Sequence, residues 1–251
     1  MTRIIMTGCN GHMGRVITDI VNEDANAEIV AGVDVFTDVA NDYPVFTNIA
    51  DVNVEADAII DFSSPKALES LLEYSVNTNT PLVLCTTGLS DEQLKKVDEA
   101  SKKVAILRSA NMSLGVNTLM KLLKVATEVL SDRGFDIEIV EQHHRRKLDA
   151  PSGTALALAD TINEAADNKY KYTFDRSQRR EPRDEKEIGI SAVRGGTIVG
   201  VHDVIYAGTD EVIEIRHTAY SRAVFAKGSV DAAKFLAGKD AGMYDMSDVI
   251  A

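Results

Sequence analysis

Apolar residues in the first half of the chain fall in short runs separated by stretches of helical spacing. Arg3-Ile4-Ile5-Met6-Thr7 is a strand-like run that stops at Gly8, and Val16, Ile17, Ile20 and Val21 behind it keep a helical period. Further apolar runs at 28–33, 56–62, 81–85 and 104–107 read as strands, with helices predicted over 67–76 and about 91–102. Strands and helices alternating at this rhythm imply a parallel sheet wound on both faces.

The pattern changes after residue 112. Leu119, Leu122, Leu123, Ala126, Val129 and Leu130 mark an amphipathic helix. Phe135, Ile137 and Ile139 alternate with Asp136 and Glu138, which is a strand pattern. Ala155, Leu158, Ala159 and Ile162 return to helical spacing, with Ser152 as candidate N-cap. Residues 167–187 are polar, of mixed charge and contain Pro182, which predicts a mobile loop. Runs at 188–193, 197–206 and 212–218, joined by short glycine turns, predict an antiparallel meander. A final helix near 227–236 returns to the first domain. The expected architecture is α/β: an N-terminal Rossmann-type doubly wound parallel sheet over 1–112, rejoined by 222–251, plus a C-terminal α+β domain with an open mixed sheet over 113–221. One face of that second sheet lacks helices to cover it, so a partner subunit is expected there.

Composition narrows the function classes. The formal charge of -12 argues against nucleic acid as a partner. Two cysteines provide no disulfide framework and suit a reducing cytoplasm. No segment approaches membrane-spanning length, and the apolar run at the start is too short for a signal peptide.

Two stretches carry candidate chemistry. Gly8-Cys9-Asn10-Gly11-His12-Met13-Gly14 lies between a strand and a helix, the context of a dinucleotide-binding turn. Asp34 ends the next strand ~20 residues past the last glycine, where a ribose-binding carboxylate belongs. Gly8–Met13, Asp34, Phe62, Thr86-Thr87 and Ala110-Asn111 all fall at carboxyl ends of strands, the ligand side of such a sheet. The second stretch, Glu141-Gln-His-His-Arg-Arg-Lys-Leu-Asp-Ala-Pro-Ser-Gly-Thr-Ala155, runs from strand end through a basic loop to a helix start. The N–H groups of Gly153 and Thr154, with the helix dipole and the nearby cations, would seat a carboxylate. A shared metal on His143 and His144 is disfavoured, since neighbours on a strand point to opposite faces.

Both stretches, together with Cys85-Thr86-Thr87-Gly88, Ser109-Ala110-Asn111-Met112-Ser113 and Arg194-Gly195-Gly196, occur in the order found in the dihydrodipicolinate reductase family, which the whole chain resembles. The resemblance implies reduction of a cyclic dicarboxylate imine in the diaminopimelate route to lysine, by a homotetramer built through the second domain. It implies His143 as proton donor or acceptor and Lys147 as a second proton donor, with His144, Gly153 and Thr154 on the substrate carboxylates. It implies that Gly8, Cys9, Asn10, Gly11, His12, Met13, Asp34, Cys85, Thr86, Thr87, Ser109, Ala110, Asn111 and Met112 hold the cofactor. Many members carry Gly where Cys85 stands. Some carry Arg where Val35 follows the acid; without that cation NADH is expected to be preferred, with NADPH possible. The competing readings are a semialdehyde dehydrogenase using Cys85 as nucleophile, a non-catalytic nucleotide sensor, and a Schiff-base lyase using Lys147.

Overall fold

Ile4, Ile5 and Met6 are fully buried, Ile4 and Met6 on one face of the first strand and Ile5 on the other. A strand apolar on both faces needs cover on both. Burying one such side chain stabilises by about 1.5–3 kcal/mol, enough for a few of them to fix which elements must pack there. The computed structural model describes residues 1–250. In chain order its main elements are β1 (Thr2–Thr7), α1 (His12–Asn22), β2 (Ala27–Val33), β3 (Val45–Phe46), β4 (Ala58–Asp61), α2 (Leu68–Thr78), β5 (Leu82–Leu84), α3 (Asp91–Ser101), β6 (Ala105–Leu107), α4 (Leu114–Leu130), β7 (Asp136–His143), α5 (Gly153–Ala165), β8 (Lys171–Thr173), β9 (Glu187–Arg194), β10 (Gly200–Ala207), β11 (Val212–Ala219), α6 (Ala223–Leu236), β12 (Gly242–Tyr244) and α7 (Met246–Val249). They divide into two units, Met1–Leu114 with Ala223–Ala251, and Gly115–Arg222.

The first unit holds a seven-stranded sheet of order β12-β6-β5-β4-β1-β2-β3, parallel at every pairing. Ile17 and Val21 of α1 and Val230 and Leu236 of α6 cover one face; Leu68 and Leu71 of α2 and Val97 of α3 cover the other. The chain turns outward in opposite directions from β1 and β4, so a ligand crevice opens at their carboxyl ends. Gly8 forms its floor with φ +77°, and a Cβ there would meet the Phe62 carbonyl oxygen at 2.5 Å. The C-terminal segment completes the sheet edge. A Cβ on Gly228 of α6 would lie 1.7 Å from the Met112 carbonyl oxygen, so helix and loop meet backbone to backbone.

The second unit is a five-stranded mixed sheet of order β11-β10-β7-β9-β8. Ile137, Ile139, Ile188, Ile190, Val204 and Tyr206 pack against Leu119 and Leu123 of α4 and Leu158, Ala159 and Ile162 of α5. The opposite face carries Val140, Ile205, Val193 and Val212, the last two exposed.

Three features differ from the sequence-based expectation. The strands after 188 do not form a simple meander. Only β10 and β11 pair as a hairpin; β7 inserts between β10 and β9, antiparallel to the first and parallel to the second. Glycine turns can bound a strand without setting its partner, and the apolar face of β7 is buried best at the centre. Nor is 167–187 only a loop. β8 pairs with β9 there, and Arg176 forms two bonds to Glu138 at 2.8 and 2.9 Å while Arg183 reaches both Glu138 and Asp136. The acidic outer face of β7 captures arginines that read as solvated charges. The last long helix starts at Ala223, earlier than its apolar period showed. No helix among the described residues is long and apolar enough to cross a membrane.

Candidate functional site

The glycine turn and the start of α1 form the head of the crevice in the first unit. Helix α1 has Gly11 as N-cap, no side-chain cap and no acid in its first turn, so its N-terminus is a seat for an anionic group. A cleft of about 500 Å³ runs from there past Asn10, Asp34, Val35 and Phe36 to Ser63 and Leu71. Asp34 is fixed by two backbone donors, Asn10 N–H and Phe36 N–H, each 3.0 Å away. Among the described residues Thr86 Oγ1 is buried with no hydrogen-bond partner. A glycine floor that a Cβ would fill, an uncapped helix start and a fixed carboxylate suit a dinucleotide; Thr86 follows β5 and is not part of this cleft's lining.

In the second unit, alternation along β7 puts Glu141 and His143 on the same buried face as Ile137 and Ile139. Register brings His202 of β10 opposite Glu141, His217 of β11 opposite His202, and Arg194 of β9 opposite His143. The His143 and His202 rings meet edge to face at 5.3 Å. His143 Nδ1 lies 2.6 Å from Glu141 Oε2, and both terminal nitrogens of Arg194 donate to the same carboxylate at 2.7 Å. Ser152 N–H donates to Glu141 at 2.9 Å, and Ser152 Oγ caps α5 and contacts His202 Nε2 at 3.0 Å. Lys147, on the loop between, pairs with Asp149 at 2.9 Å. His144 Nδ1, Arg194 Nε and His202 Nδ1 are buried and unpartnered among the described residues, the signature of a pocket for a polar ligand.

The electrostatics follow from burial. Burial alone would raise the Glu141 carboxyl, but Arg194, His143 and the Ser152 N–H outweigh it and hold the group below its ordinary value. Burial pushes the His143 imidazole down, and Glu141 opposes that only in part. His202, 5% exposed, is pushed by burial and then by His143 down to about 4.

The residues expected from sequence divide by how they are presented. Gly8, Asn10, Gly11 and Asp34 line the cleft. His12 is exposed as the first residue of α1. Cys9 is fully buried, and Met13 packs on the same core, so these two offer backbone rather than side chain to a ligand. Cys85, Thr86 and Thr87 follow β5, and Ser109, Ala110, Asn111 and Met112 follow β6; the Met112 side chain belongs to the core. Burial, then Asp61, pushes the Cys85 thiol well up, so a Cys85 thiolate nucleophile has no support here. Gly153 and Thr154 open α5. Sequence reasoning missed Glu141, Arg194 and His202 as parts of one site. Glu141 was findable, since a residue two before His143 on a strand shares its face; His202 needed the strand register.

Family models for "Dihydrodipicolinate reductase, N-terminus" and "Dihydrodipicolinate reductase, C-terminus" match residues 2–112 and 115–250. The chain belongs to the dihydrodipicolinate reductase family. It is 52% identical over 250 residues to 4-hydroxy-tetrahydrodipicolinate reductase of Caldanaerobacter subterraneus subsp. tengcongensis, covering 100% of this chain and 98% of the relative. The enzyme of that name from Clostridium novyi is 50% identical over the same shares. Among solved structures, a dipicolinate-bound dihydrodipicolinate reductase from Paenisporosarcina sp. TG-14 superposes with a TM-score of 0.81 at 25% identity, covering 98% of this chain and 97% of that one. The chain is thus an oxidoreductase of the nicotinamide-dependent class, and its first unit is the dinucleotide-binding one.

The depressed value of His202 makes a pH prediction. The unfolded chain binds a proton at His202 near pH 6.5, whereas the folded protein does so only near 4. The stability contributed by keeping His202 neutral is therefore fully present above pH 6.5 and is lost as pH falls through this window. The loss is on the order of 3 kcal/mol. Denaturant unfolding between these two pH values should show that slope, and His202→Gln should flatten it. An equal slope in the variant would assign the effect to other groups.

Proposed function

We propose that this chain catalyses the NAD(P)H-dependent reduction of 4-hydroxy-tetrahydrodipicolinate in the diaminopimelate route to lysine, with His143 and Lys147 handling the proton. The observation that carries the reading is the strand-end cluster of the second unit, where an imidazole, an ammonium, a guanidinium and the first turn of α5 gather beside unpartnered buried nitrogens. Reduction of a conjugated cyclic imine adds a hydride at one carbon and a proton at its partner atom. The bound dinucleotide supplies the hydride. A cationic His143 or Lys147 gives up the proton and offsets the charge that develops as the hydride arrives. His144, Gly153 and Thr154 hold the substrate carboxylates at the helix start. The solved relative named as dipicolinate-bound holds a ring dicarboxylate, which supports a substrate of the same chemistry here. Gly8, Asn10, Gly11, Asp34 and Thr86 hold the dinucleotide, with the Ser109–Met112 loop beside them.

His143→Ala and Lys147→Ala should each lower kcat by roughly 10²-fold or more, while fluorescence titration shows dinucleotide binding retained. Near-normal turnover in both would remove these roles.

We also propose a homotetramer formed through the second unit. The face of its sheet opposite the helices sets Val140, Ile205, Val193 and Val212 among polar and charged neighbours, Val193 and Val212 exposed, and a second copy is the simplest cover for those apolar positions. Light scattering at micromolar concentration should give four chains; a monomer would contradict this.

The cofactor preference rests on Asp34. Its oxygens are oriented by Asn10 and Phe36, ready to accept from ribose hydroxyls. A 2′-phosphate at that spot meets a carboxylate, at a cost of ~1–3 kcal/mol in a partly desolvated cleft. Val35, Phe36 and Thr37 supply no cation. Arg15 donates to the Asn10 carbonyl at 3.2 Å, next to the donor that holds Asp34, so the discrimination is partial. NADH should be favoured about tenfold or more in kcat/KM, or ~1.4 kcal/mol, and Val35→Arg should narrow the gap. An equal or better kcat/KM with NADPH would show that Arg15 dominates.

A further inference from the structure

Glu141 is 0% exposed, and both its oxygens are fully engaged. Oε1 accepts from Ser152 N–H at 2.9 Å and Arg194 Nη2 at 2.7 Å; Oε2 accepts from Arg194 Nη1 at 2.7 Å and faces His143 Nδ1 at 2.6 Å. Three of these four partners are obligatory donors: a backbone N–H and two guanidinium N–H groups have no lone pair to offer. A proton on Oε1 would point at a donor, and on Oε2 it could meet only the imidazole; against burial, the paired guanidinium bonds and the Ser152 N–H hold the carboxyl below its ordinary value, so the group is ionised. An ionised carboxylate only accepts, and the remaining contact must be an N–H of the imidazole donating to it.

We infer that Glu141 is a positioning residue for the proton transfer, locking His143 as the Nδ1–H tautomer so that Nε2 is the one ring nitrogen that exchanges a proton with the substrate. This rests on the reading of His143 as an acid–base group. Nε2 points along the backbone of Gly200, where a Cβ would sit 3.2 Å from it; glycine leaves that nitrogen uncrowded. Neutral His143 then holds its lone pair at Nε2, and the cation carries its transferable proton there. Arg194 holds the carboxylate in turn, and through Asp149 O at 2.6 Å it also holds the loop that bears Lys147.

The charge around the ring gives the role a measurable sign. His143 faces Glu141 on its own strand, Lys147 on the loop that follows, Arg194 of β9 and His202 of β10, with His217 of β11 behind His202. Lys147 and Arg194 disfavour the imidazolium, and Glu141 favours it. Removing the Glu141 charge must lower the proton affinity of His143. A carboxylate that served only to tie Arg194 and Ser152 to the strand would not set that affinity.

The test combines imidazole ¹⁵N NMR with kcat–pH profiles of the full-length enzyme, its Glu141→Gln variant and its Glu141→Asp variant. In the unsubstituted enzyme the neutral His143 ring should be protonated at Nδ1. In Glu141→Gln, whose amide can either donate or accept, the tautomers should mix. Its kcat should fall roughly 10²-fold with KM little changed, and the alkaline fall of kcat should move down by about one pH unit or more. Glu141→Asp, which keeps the charge, should restore the profile. Protonation at Nε2 in the unsubstituted enzyme would overturn the inference, and that measurement stands even if Glu141→Gln does not fold. A fall in kcat with tautomer and profile both unmoved would reduce Glu141 to a structural tie and overturn it too. A tautomer that changes as expected while kcat and its profile do not would leave the positioning intact and instead remove His143 from the proton transfer.

Discussion

A carboxylate without solvent survives in a fold only when its lone pairs are met, and Glu141 imposes that condition on the second unit. Its partners come from β7, β9 and the start of α5. Taking an ion out of water costs several kcal/mol even after relaxation, and removing one partner of a buried pair costs about 3–5 kcal/mol. These magnitudes exceed what any one apolar contact in the unit provides. The carboxylate therefore does little for net stability but is decisive for arrangement: strand end, basic loop and helix start can meet here in one way. The side chains that would carry the chemistry, His143 directly and Lys147 through its loop, take their positions from that arrangement.

The first unit solves its recognition problem with backbone. Glycine at 8 permits close approach to Phe62, the uncapped start of α1 supplies donors, and Asp34 is the charged residue in the cleft's lining. Cys9 shows the difference between the two modes. Its place in the glycine turn marks it as a ligand contact, yet its side chain fills the core, where only the peptide group is left for binding. Cys85 tolerates the same logic. Desolvation, then Asp61, pushes this half-buried thiol well up, so its side chain stands after β5 without supplying a thiolate nucleophile.

The legibility of the sequence follows this contrast. The doubly wound sheet could be read because strands buried on both faces announce themselves as unbroken apolar runs, and β1, β2, β4, β5 and β6 all do. The Ser152 cap of α5 was readable from local chemistry. What could not be read was pairing. Nothing in 188–218 says that β7 separates β9 from β10, because alternation sets a strand's faces and leaves its neighbours open. The same gap hid half the site: His202 and Arg194 join His143 through register alone. The arginines at 176 and 183 failed for a related reason. Their anchor is the polar face of β7, and a stretch rich in both charges looks the same whether it is solvated or held.

The charge balance raises a further question of how an acidic protein holds an anionic substrate. The net charge of -12 is a property of the whole chain, and salt at physiological strength screens exposed charges beyond about 8 Å. Local pairing matters more. Arg194 is neutralised by Glu141 and Lys147 by Asp149, but the two cases differ in kind. Glu141 is buried and saturated, so Arg194 cannot leave it without stranding a charge. Asp149 is 59% exposed at its side chain, and an exposed ion pair is worth ~1 kcal/mol or less. On the proposed reading, a dicarboxylate at the start of α5 would compete with Asp149 for Lys147 and not with Glu141 for Arg194. One cation is kept as scaffold and the other is kept available, and the difference lies in how deeply each one's carboxylate is buried.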